Sequence, residues 1–541
     1  MTSELIVLHF NDVYNVEGYP NEPQAGAARF CTALRDSRKN CESLTLFSGD
    51  CLSPSMISTI TQGDHMPEIL NEFDIDLAVY GNHDFDFGVD KLMQCVEKMN
   101  FQWLNSNVYD SMTDELFADG IKYKIFERCG VKIGIIGLIE PDWVATLATV
   151  DPNDVIVKDF CEIGNELAIQ LRNEGCNLII ALTHMRWAND RILFKNVPSI
   201  DLVLGGHDHD FQVEFTDDKK RLLIKSGTDF RNIGKIKISI NNNSKTINSI
   251  EVEKLTVDSG YEKEKKVNDL VQNASSELEG RMKIKIGTIS VDLDARFSSI
   301  RSQETNIGNF ICDIILTAVD ADIALINSGT LRTDGIISKG DITYRDLMNL
   351  LPVIDPLVVL SITGAQLVEV LENGVSQYPK LEGRFPQVGG IEFRFWSSKP
   401  PGSRVDVNSI KIQNELIRLD QSYKICVKQY LANGKDGFNV LAECPVIMDD
   451  ENAPVLNVAV QNYLRAIQVI NGFKCQKYRY RSSVVSMHQR KSIVMENSGL
   501  DFQNLRLTPN RWGKVKSQIT QTEKERCTIG PKIEGRIVRI D

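Results

Sequence analysis

Through residue 255 the chain alternates short apolar runs, polar loops and stretches with apolar residues at helical spacing. The runs are Leu5–Phe10, Ser43–Phe47, Asp76–Tyr80, Val131–Leu138, Asn177–Leu182, Asp201–Leu204 and Arg221–Lys225. They are mostly uninterrupted and rich in Ile, Val and Leu, which predicts strands covered on both faces in a layered α/β domain. Gly26–Lys39 and Val89–Met99 read as helices between them. A strongly charged stretch, 256–282, reads as an exposed helix joining two domains. A second mixed α/β region, 283–475, contains predicted strands Ala321–Asn327, Leu357–Ile362, Ile391–Phe395 and Tyr423–Val427. Asn306–Val319 and Gly364–Tyr378 are its predicted helices. Residues 476–541 show weak periodicity and form a tail that is either solvated or wraps back over the body.

Charge divides the chain the same way. It has 61 Lys+Arg, 73 Asp+Glu and a net charge of -12, yet the tail holds fourteen Lys/Arg against six Asp/Glu. The acidic body argues against nucleic acid as a partner, even with Tyr478-Arg479-Tyr480-Arg481 in the tail. No apolar run is long enough for a transmembrane helix, and Met1–Leu8 reads as the start of a strand, not as a secretory leader. Twelve scattered cysteines without a CxxC pair suit a reducing compartment, so the expected location is cytoplasmic.

Chemistry gathers at the carboxyl ends of five predicted strands. They finish in Asn11-Asp12-Val13-Tyr14, Ser48-Gly49-Asp50, Gly81-Asn82-His83-Asp84, Thr183-His184 and Gly205-Gly206-His207-Asp208-His209. Ligands of α/β sheets bind at that edge. A mixed set of carboxylate, amide and imidazole groups suits Mn, Fe, Zn or Co better than Ca. Four of the seven histidines lie in these positions. One such histidine is more often structural than a ligand, but five strand ends of this kind are not a packing pattern. The adjacent glycines 49, 81, 205 and 206 allow sharp turns or close backbone approach.

This set resembles the metallophosphoesterase signature. Further on, Arg301 followed by Asn306-Ile307-Gly308-Asn309, Asn327-Ser328-Gly329-Thr330-Leu331-Arg332, Gly340-Asp341-Ile342-Thr343 and Asn433-Gly434-Lys435-Asp436-Gly437-Phe438 resemble the C-terminal domain of the 5′-nucleotidase family. The resemblance implies a four-layer α/β/β/α sandwich over 1–255, a linker helix over 256–282 and a mixed α/β substrate-binding domain over 283–475. It implies two divalent cations (Mn, Zn, Mg, Co or Fe), with Asp50 bridging, Asp12 and His209 on one, and Asn82, His184 and His207 on the other. His83, oriented by Asp86, is implied as the proton donor to a leaving oxygen. Arg301, Asn327, Arg332 and Phe438 are the implied substrate contacts, Phe438 by stacking on a base. The implied activity is hydrolysis of a small organic phosphate, foremost a nucleoside 5′-monophosphate. Sugar or glycoside phosphates, UDP-sugars and cyclic nucleotides are the alternative substrates, and a non-catalytic binding protein is the remaining alternative.

Two positions depart from the family pattern. Tyr14 stands where the first motif usually has histidine. Three fates are open to it: phenolate ligand favouring a ferric ion, hydrogen-bond donor to water or phosphate at the site, or a side chain pointing away. Val353 follows Leu351-Pro352 where an aromatic is expected, which removes one face of a base clamp unless Tyr378, Phe385 or Phe393 replaces it.

Overall fold

The computed structural model describes residues 2–38, 42–147, 149–150, 152–241, 243–470 and 529–541. The chain separates into two units, Met1–Glu279 and Gly280–Asp541.

Fourteen strands are described in the N-terminal unit. In chain order they are β1 Thr2–Phe10, β2 Ser43–Phe47, β3 Leu77–Val79, β4 Gln102–Leu104, β5 Val108–Asp110, β6 Tyr123–Arg128, β7 Val131–Ile139, β8 Val155–Val157, β9 Leu178–Met185, β10 Leu202–His207, β11 Phe211–Phe215, β12 Leu222–Ser226, β13 Asn232–Asn241 and β14 Ile247–Thr256. One six-stranded sheet has the order β14-β13-β1-β2-β3-β4, and a second has β11-β12-β10-β9-β7-β6. The central strands β1–β4 and β7, β9, β10 and β12 run parallel. All but β4 fall in the predicted apolar runs, and β2, β3, β7, β9 and β10 are almost wholly buried. Hairpin partners β13 and β14 close one edge antiparallel.

The sheets stack face to face. A Cβ on Gly137 of β7 would lie 2.3 Å from Leu104 Cβ of β4, so the layers meet at a position only glycine can occupy. Helix Phe160–Asn173 lays Ile163, Leu167 and Leu171 on the outer face of the second sheet. Helix Ala27–Arg38 places Phe30 against Phe10 of the first, with ring centroids 5.1 Å apart. The result is the expected α/β/β/α sandwich. The charged stretch contains helix Lys265–Arg281.

In the C-terminal unit a five-stranded sheet has the order Pro386–Gly389, Ile323–Asn327, Ser422–Lys428, Leu357–Thr363, Val446–Met448. Helices Asn306–Ala318 and Gly364–Val375 belong to the same unit. A four-stranded sheet runs Glu415–Leu416, Val405–Ile412, Ile391–Phe395, Ile537–Arg539. Its last strand shows the end of the 476–541 stretch wrapping back over the body, one of the two expected outcomes. Ile537–Arg539 pairs parallel with Phe393–Phe395, and buried Arg536 forms a two-oxygen ion pair with Asp313 at 2.8 and 2.9 Å. The rest of the tail, with Tyr478–Arg481, lies outside the described residues. No described helix is long and apolar enough to cross a membrane.

Candidate metal centre

The carboxyl ends of β1, β2, β3, β9 and β10 converge at one edge of the sandwich, and backbone hydrogen bonds lace their loops together. Asp12 N donates to Gly49 O (2.9 Å) and Val13 N to Asp50 O (2.9 Å), which fixes the β1 loop to the β2 loop. Asp12, Asp50 and His207 all adopt left-handed backbone, with φ of 54°, 64° and 80°. Each costs about 1–2 kcal/mol for an L-residue, and such conformations persist only where the surroundings over-determine them. Close approach is equally enforced. A Cβ on Gly81 would lie 2.2 Å from Asp50 Oδ1, and one on Gly206 2.1 Å from Ser48 O.

The buried donors then face one another. Asp50 Oδ1 accepts from His83 N (2.8 Å), and its Oδ2 lies 3.3 Å from His184 Nε2. Asp12 Oδ2 accepts from His207 N (3.0 Å), and its Oδ1 lies 3.6 Å from His209 Nε2. Asn82 Oδ1 is 3.0 Å from both His184 Nε2 and His207 Nδ1. One ligand atom from each of Asp12, Asp50 and His184 falls within 4.8 Å of the others.

Two observations show that this donor set fits a cation. Ser48 O accepts from His184 Nδ1 (2.7 Å), so the opposite nitrogen points at the oxygens of Asn82 and Asp50. A lone pair facing acceptors needs a positive charge between them. In the protein alone a proton supplies it: burial opposes the charged ring, but Asp50 outweighs burial and pushes the His184 pKa up to about 9. The second observation is His207, whose Nε2 is buried without a hydrogen-bond partner. Burial and the charge of His184 hold this ring well below its usual pKa, in the neutral form a metal requires. Burial also works against the Asp12 carboxylate, but the nearby His209 imidazole and the charge of His184 keep it ionised.

Tyr14 is buried, and its hydroxyl donates to Asp12 Oδ1 (2.9 Å). The Tyr14 hydroxyl oxygen is also 3.1 Å from His209 Nε2 and 3.4 Å from Asp50 Oδ2. Of its three possible fates, pointing away is ruled out. His83 Nδ1 is 3.0 Å from Asp86 Oδ2, and its ring meets the Tyr14 ring edge-on at 6.1 Å.

Several supporting residues were not anticipated from sequence. Asp84 accepts from Gly81 N, Cys51 N and Asp50 N at 2.9–3.1 Å, tying β3 to β2. Burial and the neighbouring Asp50 push its pKa up to about 6. Asp229 accepts from Tyr14 N and Asn15 N. His9 is fully buried, bonded to Ser226 and Ser48 hydroxyls at 2.7 and 2.9 Å, and burial lowers its pKa to about 3. The only signal for Asp84 was its place inside Gly81-Asn82-His83-Asp84; nothing local marks Asp229.

The remaining candidates lie in the C-terminal unit. Asn327 ends its strand, accepts from Thr330 Oγ1 (2.7 Å) and donates to Asp436 Oδ2 (2.9 Å), which brings two of the recognised motifs together. Arg301 stacks on Phe297 at 4.0 Å and donates to Leu381 O (3.2 Å). Arg332 is exposed. Phe438 is 1% exposed and packs in the hydrophobic core with Phe385 and Leu441, so its ring presents no open stacking face, contrary to the expectation. Phe385 and Phe393 are equally enclosed, while Val353 is 59% exposed. Tyr378 packs edge-on against Phe395, and its hydroxyl accepts from Arg539.

Comparison with known proteins follows this division. Residues 5–211 match the family model for calcineurin-like phosphoesterases, and 285–443 match that for the 5′-nucleotidase C-terminal domain. A human protein named 5′-nucleotidase is 25% identical over 516 residues, covering 86% of this chain and 89% of that protein. The Bacillus subtilis trifunctional nucleotide phosphoesterase YfkN is 28% identical over 485 residues, but this chain spans only 32% of its length. Among solved structures, Haemophilus influenzae NAD nucleotidase (NadN) superposes with a TM-score of 0.73 at 18% identity, covering 86% of this chain and 96% of that one. A Thermus thermophilus 5′-nucleotidase precursor gives 0.52 at 22% identity, with 99% of both chains covered. The two structures share the fold.

Proposed function

Since the chain belongs to the family that joins a calcineurin-like phosphoesterase domain to a 5′-nucleotidase C-terminal domain, we propose that it is a phosphomonoesterase acting on a small organic phosphate, foremost a nucleoside 5′-monophosphate. The observation that carries this reading is the convergence of Asp12, Asp50 and His184 within 4.8 Å, with the His83–Asp86 pair beside them. Asp12, Asp50, Asn82, His184, His207 and His209 are the residues that would hold two divalent cations, Asp50 being shared between them, Asp12 and His209 serving one and Asn82, His184 and His207 the other. Such cations acidify water and neutralise phosphoryl charge. Asp86 fixes the Nδ1 proton of His83, so the opposite nitrogen gives a proton to the leaving oxygen. Arg301, Asn327 and Arg332 supply recognition of the organic group through charged and amide donors.

A second reading, a sugar or glycoside phosphate as substrate, is favoured by the enclosure of Phe438 and by aliphatic, exposed Val353. UDP-sugars and cyclic nucleotides remain within the same chemistry. Phosphate release from AMP, UDP-glucose, cyclic AMP and a set of sugar phosphates separates these readings. AMP at the highest kcat/KM supports the first, and a sugar phosphate ahead of AMP supports the second. No turnover of any member, or of an aryl phosphate with divalent metal added, removes both. A cytoplasmic location is part of the proposal. The free thiols among the described cysteines support it, and cell fractionation tests it.

A further inference from the structure

The motif Gly205-Gly206-His207-Asp208-His209 contains one residue that the metal site leaves without a role. Asp208 lies between two candidate ligands, and its carboxylate is 2.6 Å from the ammonium of Lys225 on β12. Lys225 is completely buried. Its ammonium donates to Met185 O at the end of β9 and to Gly206 O in β10, and it lies 3.0 Å from Asp190 Oδ2. Asp190 Oδ1 in turn accepts from Thr183 Oγ1 (2.6 Å), and Asp208 Oδ2 from Trp187 N (2.6 Å).

The connectivity is specific. Thr183 and Met185 flank His184, and Gly206 and Asp208 flank His207. The residues on both sides of each histidine are therefore tied to one buried ionic cluster. Packing alone does not call for it. Leu222, Leu223 and Ile224 precede Lys225 on β12 and are all buried, and an apolar residue at 225 would extend that run up to the buried Ser226. Taking the Lys225 ammonium and the Asp190 carboxylate out of water is costly, and apolar replacements of such buried pairs are often neutral or stabilising. What an apolar residue cannot do is hold two strand-end carbonyls at fixed positions. Metal affinity depends on groups of this kind, which orient the ligands without touching the ion.

We propose that Lys225, anchored by Asp190 and Asp208, is a positioning residue that sets His184 and His207 for cation binding. The inference rests on the metallophosphoesterase reading above. Chelator-competition titration with Mn²⁺ tests it on the full chain, with thermal unfolding of the metal-free protein measured alongside. Lys225→Met is expected to weaken Mn²⁺ binding by about 10–100-fold. Adding Asp190→Asn, which removes the uncompensated carboxylate, is expected to restore the unfolding temperature but not the affinity. Asp208→Asn, at a partly exposed site, is expected to weaken binding several-fold and to alter the visible spectrum of the Co²⁺-loaded protein; it carries the test if Lys225→Met does not fold. Affinity within about twofold of the parent in folded Lys225→Met or in Asp208→Asn overturns the proposal, as does recovery of affinity together with stability in the double variant. If the parent protein binds no Mn²⁺ or Co²⁺, the phosphoesterase reading fails and the positioning role fails with it.

Discussion

In the N-terminal unit Asp12, Asp50, Asn82, His83, His184 and His207 are all buried, and each is bonded to a neighbour from a different strand end. In the C-terminal unit the four recognition candidates range from exposed Arg332 to enclosed Phe438, and Arg301 is held by a backbone carbonyl and one ring. The first arrangement holds each side chain through contacts from several strand ends, and transfer of a phosphoryl group depends on such positioning. The second keeps charged side chains near water, where they can meet a solute of variable shape. Chemistry and recognition thus call for different degrees of enclosure, and the two halves of the chain differ accordingly.

Substitutions sharpen the contrast. The largest effect is expected from Asp50→Ala, which removes the carboxylate proposed to serve both cations: aryl phosphatase activity should fall by about 10³-fold or more at saturating metal. His83→Ala should lower kcat on an alkyl phosphate by about 10²–10⁴-fold. The loss should be much smaller on 4-nitrophenyl phosphate, whose leaving group needs no proton. Equal losses on both substrates would remove the donor role. Arg332→Ala is expected to raise KM by about tenfold while kcat changes little, because its interaction is made in ground state and transition state alike. A fall in kcat of the His83 size would erase the distinction between the halves. The smallest effect is expected from Tyr14→His, which replaces a hydroxyl beside Asp12 and His209 with an imidazole ligand. Activity profiles with Mn²⁺, Zn²⁺, Co²⁺ and Mg²⁺ should shift order by a few-fold, and unchanged profiles would take Tyr14 out of the metal's surroundings.

The ligand set was legible because metal binding restricts residue type, and strand ends in a parallel sheet are marked by where apolar runs stop. The placing of Asp12, Asp50 and His184 at converging strand ends came from local sequence, whereas the ligand role of each residue came only from the family resemblance. Lys225 was read as the polar end of a strand, yet its role depends on carbonyls of β9 and β10 that no spacing reveals. Asp229 escaped for the same reason, since it bonds to Tyr14 and Asn15 from 215 and 214 residues away. Phe438 failed in the opposite sense: its motif was correctly found, but whether a ring faces solvent or the core is decided by neighbours such as Leu441 and Phe385. Strand Ile537–Arg539 is too short for an alternation to stand out.

That last strand bears on synthesis. Asp541 bonds to Ser397 across 144 residues of sequence, and Arg536 reaches the Val388 carbonyl across 148. Contacts of such span form slowly, because a long loop must close before any interaction offsets it. A ribosome therefore releases the residues of the N-terminal sandwich well before those of its companion, whose four-stranded sheet stays one strand short until Ile537–Arg539 emerges. During that interval the edge at Ile391–Phe395 offers unpaired backbone to other chains, a window in which a chaperone has most to protect.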